Sequence, residues 1–404
     1  MIHTRSGRVR HEPSKIASCF LQCPTQEAAF KMNNERQCEC WQRDLNAASG
    51  ICKALFNIVL VILLISVVAR AANAANASET LNLNWQSATC RTGAAVAQSD
   101  ALVSDMPVFV NAISARKVLK KPGIGRLTIN SLQGKNLTVH IFRPKRFDSV
   151  AGRIWFVMHG TGRDAGRYLH TAVPVAQRHA VMLVALEFSR DAYPSGDTYT
   201  LGVVSRGRVD AHAAEEGRWR SPLQTPYMEI ERTFSAVSQA LHSRQPGYFI
   251  FGHSAGAQFV HRLLSFVRCP RVLKAVAANA GWYTLPTTDK KWPPFPYSLR
   301  GAAQEFQDPR QVLSAPLTVL LGSRDTLGND KDRRLRASEG AMMQGANRLR
   351  RGLVYYEVGR QESQKAGWPF AWKIQIVKGA GHKVAEVISP AGELLFACPA
   401  NMLN

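Results

Sequence analysis

The sequence predicts an α/β protein with a mostly parallel central sheet flanked by helices and a small cap insertion. Short apolar runs without polar alternation recur from about residue 123 onward. Such runs are typical of strands that are covered on both faces. Longer amphipathic stretches lie between them, and this alternation winds a parallel sheet through right-handed crossovers. The composition, 46% hydrophobic and 20% charged, is that of a globular chain. We therefore expect one large α/β domain over about residues 115–400.

The strands are predicted from the apolar runs themselves. The first two segments, residues 126–130 and 137–142, have half-buried patterns and are expected to form an early hairpin. The later strands are expected at residues 154–158, 181–188, 248–251, 272–278, 317–321 and 374–377.

Two helices are predicted between these strands from apolar residues at helical spacing. The first pattern begins after Thr225 and ends before Pro246. The second covers residues 255–267 and stops at Pro270. The second helix therefore directly follows the strand at 248–251.

The net charge is +22, because 51 Lys and Arg stand against 29 Asp and Glu. Such an excess attracts anionic surfaces, such as nucleic acid, lipid headgroups or acidic polymers. The basic residues are scattered, however, and no zinc-finger spacing, basic-region heptad or RNA-binding aromatic signature accompanies them. The charge favours a cationic enzyme over a nucleic-acid reader, and no specific nucleic-acid partner is predicted.

The apolar run at residues 54–69 has Lys53 before it and Arg70 after it. Small residues follow at the spacing that a signal peptidase accepts, which predicts cleavage after Ala74 or Ala77. We interpret residues 54–77 as a secretory signal peptide. The alternative is an uncleaved membrane anchor, with 54–70 as a membrane tether, although the run is short for a span of about 20 residues. The chain is thus expected to be secreted or periplasmic, or else anchored in the membrane.

Residues 1–53 are polar, lack periodicity and carry five of the eight cysteines. We interpret them as a disordered leader or a mis-assigned start, with Met32 the more sensible beginning. The spacing of Cys38 and Cys40 fits no standard zinc site, so no metal is predicted.

Residues 78–114 are interpreted as a linker or N-terminal extension. Beyond the predicted cleavage sites, the remaining thiols are Cys90, Cys269 and Cys398. They permit one internal disulfide, and the sequence does not choose the pair.

The run Gly252-His253-Ser254-Ala255-Gly256 lies between a predicted strand and a predicted helix. A strand that enters G-x-S-x-G and continues as a helix forms a nucleophile elbow, a turn too tight for side chains at the two glycine positions. The motif alone arises by chance, but this placement removes most chance matches. The serine would lie at a positive helix terminus, where developing negative charge is favoured. We predict Ser254 as the nucleophile.

A serine hydroxyl needs a base, and the base needs an orienting carboxylate. Asp325 and His382 follow the predicted strands at 317–321 and 374–377. The chain order Ser, acid, His is the one that accompanies a nucleophile elbow. Asp330 and Asp332 are the alternative acids. Their basic neighbours resemble a solvated helix start, which favours Asp325. His253 adjoins the serine and is expected to point elsewhere, so His382 is the predicted base.

The oxyanion hole needs backbone N–H donors. One is expected from Ala255, the residue after the nucleophile, and the other from the loop after the strand at 154–158. That loop reads His159-Gly160-Thr161-Gly162. Thr161 is the predicted second donor, with Gly160 as the alternative.

These residues, together with the run Ala278-Asn279-Ala280-Gly281-Trp282-Tyr283, resemble polyhydroxybutyrate depolymerase-like α/β-hydrolases over about residues 130–395. The resemblance extends towards feruloyl and acetylxylan esterases. It implies the α/β-hydrolase fold and an exported carboxylic-ester hydrolase without a metal or organic cofactor. Family members often act on polymers, but no polymer-binding module is recognisable, which favours a small-molecule or oligomeric ester as substrate.

Residues 282–306 are rich in aromatic residues and proline and lie where hydrolases commonly insert a cap. Trp282 and Tyr283 are the candidate substrate-binding residues, because aromatic side chains suit an acyl pocket. The alternative is that the aromatic residues only pack the insertion against the domain.

Three other functions remain open at this point. A serine peptidase or an acyltransferase would use the same triad. A non-catalytic envelope protein could have the same scaffold, and a nucleic-acid binder is the weakest candidate. The oligomeric state and the identity of the ester are not predicted.

Overall fold

The computed structural model describes residues 107–202, 219 and 222–397. The predicted leader at 1–53, the segment at 54–77 and most of the predicted linker at 78–114 lie outside the described residues. So do Cys90 and Cys398, whereas Cys269 is described and is disulfide-bonded. Within the described ranges, no helix combines the length and the hydrophobicity needed to cross a membrane.

The described chain forms an eight-stranded sheet in the order β1-β2-β4-β3-β5-β6-β7-β8. β1 and β2 form an antiparallel hairpin and β2 pairs antiparallel with β4, whereas all later neighbours are parallel. The strands are β1 Gly123–Asn130, β2 Asn136–Arg143, β3 Ile154–Met158, β4 Met182–Glu187, β5 Tyr248–His253, β6 Val272–Ala278, β7 Leu317–Gly322 and β8 Lys373–Val377. The predicted hairpin and the predicted mostly parallel sheet are thus confirmed.

Helices connect and cover these strands. They are α1 Ala112–Lys120, α2 Ala165–Arg178, α3 Gly196–Thr200, α4 Met228–Leu241, α5 Ala255–Phe266, α6 Arg310–Ser314, α7 Glu339–Met343, α8 Arg348–Ala366 and α9 Val384–Phe396. Short 3₁₀ turns lie at Pro222–Gln224 and Gln304–Phe306. The two helices predicted from the sequence are α4 and α5. The expected domain boundary at residue 115 falls inside α1, whose Ala115 and Leu119 are buried.

The sheet lies between two helical layers, because alternate strand residues face opposite sides. Along β3, Phe156 packs with the layer that contains α4, α5 and α8, while Trp155 and Val157 pack with α2 and α9. Trp155 is fully buried and contacts Phe396 at a ring-centroid distance of 5.2 Å. Burial of each large apolar side chain contributes about 1.5–3 kcal/mol. Packing on both faces therefore fixes the sheet that carries the site.

Some elements differ from the prediction. α2 and α9 each contain an internal proline, Pro174 and Pro390, which obscures a helical pattern in the sequence. β8 was expected to be covered on both faces, but it is an edge strand, and Ile376 is half exposed.

The carboxyl ends of the parallel strands all meet at one edge of the sheet. The loops after β3, β5, β6, β7 and β8 therefore converge there, as in other open α/β sheets whose ligands bind at this edge. Every predicted catalytic residue lies in one of these loops.

Candidate active site

The turn between β5 and α5 has the backbone geometry of a nucleophile elbow. Ser254 has φ 59° and ψ −116°, a conformation that non-glycine residues rarely adopt. Its N–H donates to the Ala278 carbonyl at 2.9 Å, which ties the turn to β6. A Cβ on Gly252 would lie 2.1 Å from the Gly256 carbonyl oxygen, and one on Gly256 would lie 2.2 Å from the Met158 oxygen. Both glycines are therefore required by close backbone approach.

The structure brings Ser254, His382 and Asp325 into one hydrogen-bonded chain. His382 Nε2 lies 3.1 Å from Ser254 Oγ, and His382 Nδ1 lies 2.7 Å from Asp325 Oδ2. The Asp325 side chain is 1% exposed and the His382 side chain is 20% exposed. This arrangement suits a hydroxyl that gives its proton to an imidazole while a buried carboxylate receives the opposite ring N–H.

The loop after β3 lies against the serine. A Cβ on Gly160 would be 3.7 Å from Ser254 Cβ and 2.6 Å from the Tyr168 hydroxyl. Burial raises the pKa of the Tyr168 hydroxyl, and the nearby Gly160 backbone acts in the opposite direction. Thr161, the next residue of this loop, is exposed. Ala255 begins α5 directly after the serine.

Comparison with solved structures identifies the family. A poly(aspartic acid) hydrolase from Sphingomonas sp. KT-1 is 35% identical, with a TM-score of 0.61 over 68% of this chain and 99% of that one. The chain belongs to the polyhydroxybutyrate depolymerase-like α/β-hydrolases. The poly(3-hydroxybutyrate) depolymerase LpqC from Bordetella parapertussis is 28% identical, with a TM-score of 0.64 over 71% of this chain and 94% of that one. The predicted fold and family are thereby confirmed. Neither a family model nor a curated protein matches the sequence.

In this hydrolase, buried charges hold the acid loop. The Arg348 guanidinium reaches Asp325 Oδ1 at 3.5 Å and Asp332 Oδ2 at 2.8 Å. The Leu349 N–H donates to the Asp325 carbonyl at 3.2 Å. Asp332 was interpreted as part of a solvated helix start, but it is 8% exposed and lies in a turn. Although burial raises the pKa of Asp332, hydrogen bonds from Arg334 and Arg348 outweigh it and lower that pKa to about 2.

Asn279 joins the acid loop to the histidine loop. Its Oδ1 accepts from the Gly322 N–H at 2.8 Å, and its Nδ2 donates to the Gly381 carbonyl at 3.0 Å. The Gly379 N–H donates to Ser323 Oγ at 2.8 Å, and Gly379 has φ 80°. The segment before His382 is thus a hydrogen-bonded turn. Sequence reasoning gave Asn279 no role in the site, since its partners lie on two other loops.

Arg163 holds the β3 loop in shape. Its guanidinium donates to the carbonyls of Phe188, of Tyr193 at 3.1 Å and of Ser195 at 2.6 Å. It also lies over the Tyr199 ring, with Cζ 4.6 Å from the centroid. Arg163 itself has φ 61° and is 7% exposed. This clamp was not predicted, because an arginine after a glycine-rich loop resembles any surface cation.

His253 points away from the serine hydroxyl, as expected, and packs behind the site. Its Nδ1 lies 3.1 Å from the Tyr168 hydroxyl, and its ring centroid is 4.7 Å from that of His382. Burial lowers its pKa well below the ordinary value, and the nearby Arg348 guanidinium acts in the same direction. His253 is therefore a neutral ring that backs His382.

Trp282 and Tyr283 were the candidate substrate-binding residues. Trp282 is 4% exposed and lies between Arg262 and Arg336, whose Cζ atoms are 4.2 and 4.6 Å from its ring centroid. Tyr283 is fully buried and stacks on Tyr355 at 4.3 Å. Their burial favours the alternative that these two aromatic residues pack the insertion down.

Other residues of the insertion do line a cleft of about 480 Å³ against α7. Its walls combine basic and aromatic side chains with an acidic one. Among them are Lys290, Lys291, Trp292, Tyr297, Arg300 and Glu339. The residues that line the cleft belong to the segments that follow β6 and β7 in the sequence.

Proposed function

We propose that this hydrolase cleaves carboxylic esters through an acyl-enzyme formed on Ser254. The observation that carries the proposal is the chain of contacts from Ser254 Oγ to His382 Nε2 at 3.1 Å and from His382 Nδ1 to Asp325 Oδ2 at 2.7 Å. The strained serine backbone supports it, because such strain holds a nucleophile in an exposed turn.

In the acylation step, Ser254 Oγ attacks the ester carbonyl carbon while His382 Nε2 takes the hydroxyl proton. The carbonyl oxygen becomes an oxyanion, which the N–H groups of Ala255 and Thr161 stabilise. Asp325 keeps the Nδ1–H of the imidazole directed to its carboxylate and stabilises the imidazolium. The tetrahedral intermediate then collapses: the carbon–oxygen bond to the alcohol breaks, and His382 gives its proton to the alcohol.

In the deacylation step, water attacks the acyl-serine carbon and His382 takes one proton from it. Collapse of the second intermediate breaks the bond to Ser254 Oγ, which regains its proton from the imidazolium. The products are the carboxylic acid and the unchanged enzyme. No metal or organic cofactor takes part in this scheme.

Hydrolysis of p-nitrophenyl butyrate by the wild type and by S254A tests the proposal. We expect S254A to lose turnover while its thermal unfolding is unchanged, because the substitution removes only the nucleophilic oxygen. S265A is the matched control: it removes a hydroxyl farther along the same helix, one that bonds only to the His261 carbonyl. Activity of S254A near that of the wild type would refute the assignment.

A second candidate substrate is an anionic polyamide. The 35% identical relative is a poly(aspartic acid) hydrolase, and the net charge of +22 and the basic cleft beside α7 suit a polyanion. The same triad would attack an amide carbonyl. Product release from poly(aspartic acid) and from 3-hydroxybutyrate oligomers, measured side by side, separates the two candidates.

We also propose that the hydrolase acts outside the cytoplasm, either released by signal peptidase or tethered by residues 54–70. The apolar run and the small residues after it support this location. Cell fractionation and mass spectrometry of the mature N-terminus test it. A start at residue 75 or 78 in the exported fraction indicates cleavage, and an intact chain in the membrane fraction indicates an anchor. A cytosolic chain would contradict both.

A further inference from the structure

A buried arginine lies directly behind the acid of the triad. The Arg348 side chain is 3% exposed, and its Nη1 is 3.5 Å from Asp325 Oδ1. The opposite oxygen, Oδ2, is committed to His382 at 2.7 Å. Asp325 thus divides its two oxygens between an imidazole and a guanidinium. Of these two contacts, the one with the guanidinium is the longer.

A second carboxylate binds the other terminal nitrogen of the Arg348 guanidinium. Arg348 Nη2 is 2.8 Å from Asp332 Oδ2, so the arginine is bonded more closely to Asp332 than to Asp325. Without this second carboxylate, the arginine would form a bidentate ion pair with Asp325. It would then compete with His382 for the carboxylate of Asp325. Asp332 therefore holds the arginine at a distance from which it supports Oδ1 without taking Oδ2.

We propose that Arg348, tethered by Asp332, is a positioning residue that fixes the orientation of the Asp325 carboxylate towards His382. This inference rests on the proposed serine hydrolase mechanism. The chain of groups runs from Asp332 through Arg348 and Asp325 to His382 and Ser254. Arg348 touches neither the substrate nor the reacting atoms. Its effect reaches them because the tilt of the carboxylate sets the tilt of the imidazole.

Helix α8 fixes the arginine itself. Arg348 is the first residue of α8, and the Asn347 side chain caps that helix by accepting from the Arg350 N–H at 3.0 Å. The next residue, Leu349, donates its N–H to the Asp325 carbonyl. The start of α8 therefore holds Asp325 by its backbone and by its side chain at once.

The substitution R348M keeps an unbranched apolar stem and removes the guanidinium. We expect kcat for p-nitrophenyl butyrate to fall about 10- to 100-fold, the size of effect that a small misplacement of catalytic groups produces. KM should stay within about twofold, since no substrate contact is lost. The rate of labelling of Ser254 by a fluorophosphonate should fall in parallel with kcat, because it reports activation of the serine without an ester-binding step.

R348M leaves the buried Asp332 with Arg334, which is largely exposed, as its remaining cationic partner, and this loss alone could unfold the loop. The double variant R348M/D332N removes both charges and decides between the two roles. A positioning role predicts that the double variant folds and still has the low kcat, while R348K, which keeps one cation, recovers part of it. A structural role predicts that the double variant regains the kcat of the wild type, and that result would overturn the inference.

The pair Glu357 and Arg360 on the same helix provides the matched control. These side chains are 44% and 39% exposed and lie 2.7 Å apart. R360M/E357Q removes a more exposed ion pair from the same helix, more than two turns after Arg348, and should leave kcat unchanged. Wild-type chain that is not labelled at Ser254 would refute the proposed function itself. Normal labelling of both the wild type and R348M/D332N would refute only the role of Arg348.

Discussion

The two halves of the candidate site are built by different means. The nucleophile half, from β5 into α5, is shaped by close backbone contacts, both within the turn and with the end of β3: Gly252 and Gly256 lie so close to other backbone atoms that any side chain would clash. The acid half is shaped by buried side chains far apart in sequence. Asp325 is held by Arg348, which comes 23 residues later.

Because of this difference, substitutions in the two halves should have different effects on stability and activity. A backbone turn that packs directly against a neighbouring strand leaves no space for a side chain. An added methyl group must therefore displace the surrounding backbone. A carboxylate held by an ion pair can rotate without disturbing the fold. We therefore expect substitution of the glycines in the nucleophile half to appear as lost stability, and changes in the acid half as lost activity in a folded chain.

The largest expected effect is on the acid half. D325N should lower kcat about 10⁴-fold, because an amide cannot hold the imidazole in the required tautomer or stabilise its cation. D330N is the matched control, since Asp330 was an alternative acid and is exposed on the same loop. Steady-state kinetics and circular dichroism of both variants test this. A D330N variant as slow as D325N would contradict the assignment of the acid.

The next effect is on the nucleophile half. G256A should lower the free energy of unfolding by about 3 kcal/mol, because its Cβ would meet the Met158 and His159 carbonyl oxygens at 2.2 and 2.9 Å. G162A makes the same change in the β3 loop, where nothing lies within 4 Å of the new atom, and should be nearly neutral. Urea unfolding measures both. Equal stability of the two variants would remove the proposed contrast.

A smaller effect is expected at the clamp on the β3 loop. R163M should lower kcat about 10-fold, less than the loss of a whole oxyanion donor, because Thr161 would be positioned less firmly. R310M is the control, since Arg310 is exposed and its ion pair with Asp308 lies on the surface outside the β3 loop. Both variants are compared by kcat and KM for the same ester. If R163M raised KM alone, the clamp would serve substrate binding and not the oxyanion hole.

The smallest expected effect is on the pH dependence of the free energy of unfolding, which differs between the two halves. Burial lowers the pKa of His159 from 6.5 to about 3 and lowers the pKa of His253 well below 6.5. The unfolded chain binds protons near pH 6.5 that the folded chain does not, so stability falls as the pH drops below that value. Between pH 7.5 and 6 the loss should be about 1 kcal/mol for each histidine.

The carboxylate of Asp332 responds in a lower window. Its pKa is about 2 in the folded chain, below the ordinary 3.8, so its contribution is present above pH 4 and is lost as the pH falls towards 2. Urea unfolding from pH 8 to 3 should therefore show an early loss in the wild type, and D332N should change only the later one. Constant stability between pH 7.5 and 5 would contradict the histidine account.

The parts of the site that could be predicted from the sequence are those formed by residues adjacent along the chain. The elbow was predictable because a strand, five motif residues and a helix are contiguous, and the acid and base because each follows an apolar run. Arg348 and Asp332 could not be predicted as partners, since each stands among other charges and resembles a solvated residue. The sequence left two roles open for Trp282, because its burial between Arg262 and Arg336 depends on residues far from it in the sequence.

The most direct test of the central claim is fluorophosphonate labelling of the full chain, with the modified residue mapped by mass spectrometry. The wild type should carry the label on Ser254, and H382A should be labelled far more slowly while S265A is labelled at the normal rate. Labelling at another serine, or rapid labelling of Ser254 without His382, would contradict the account.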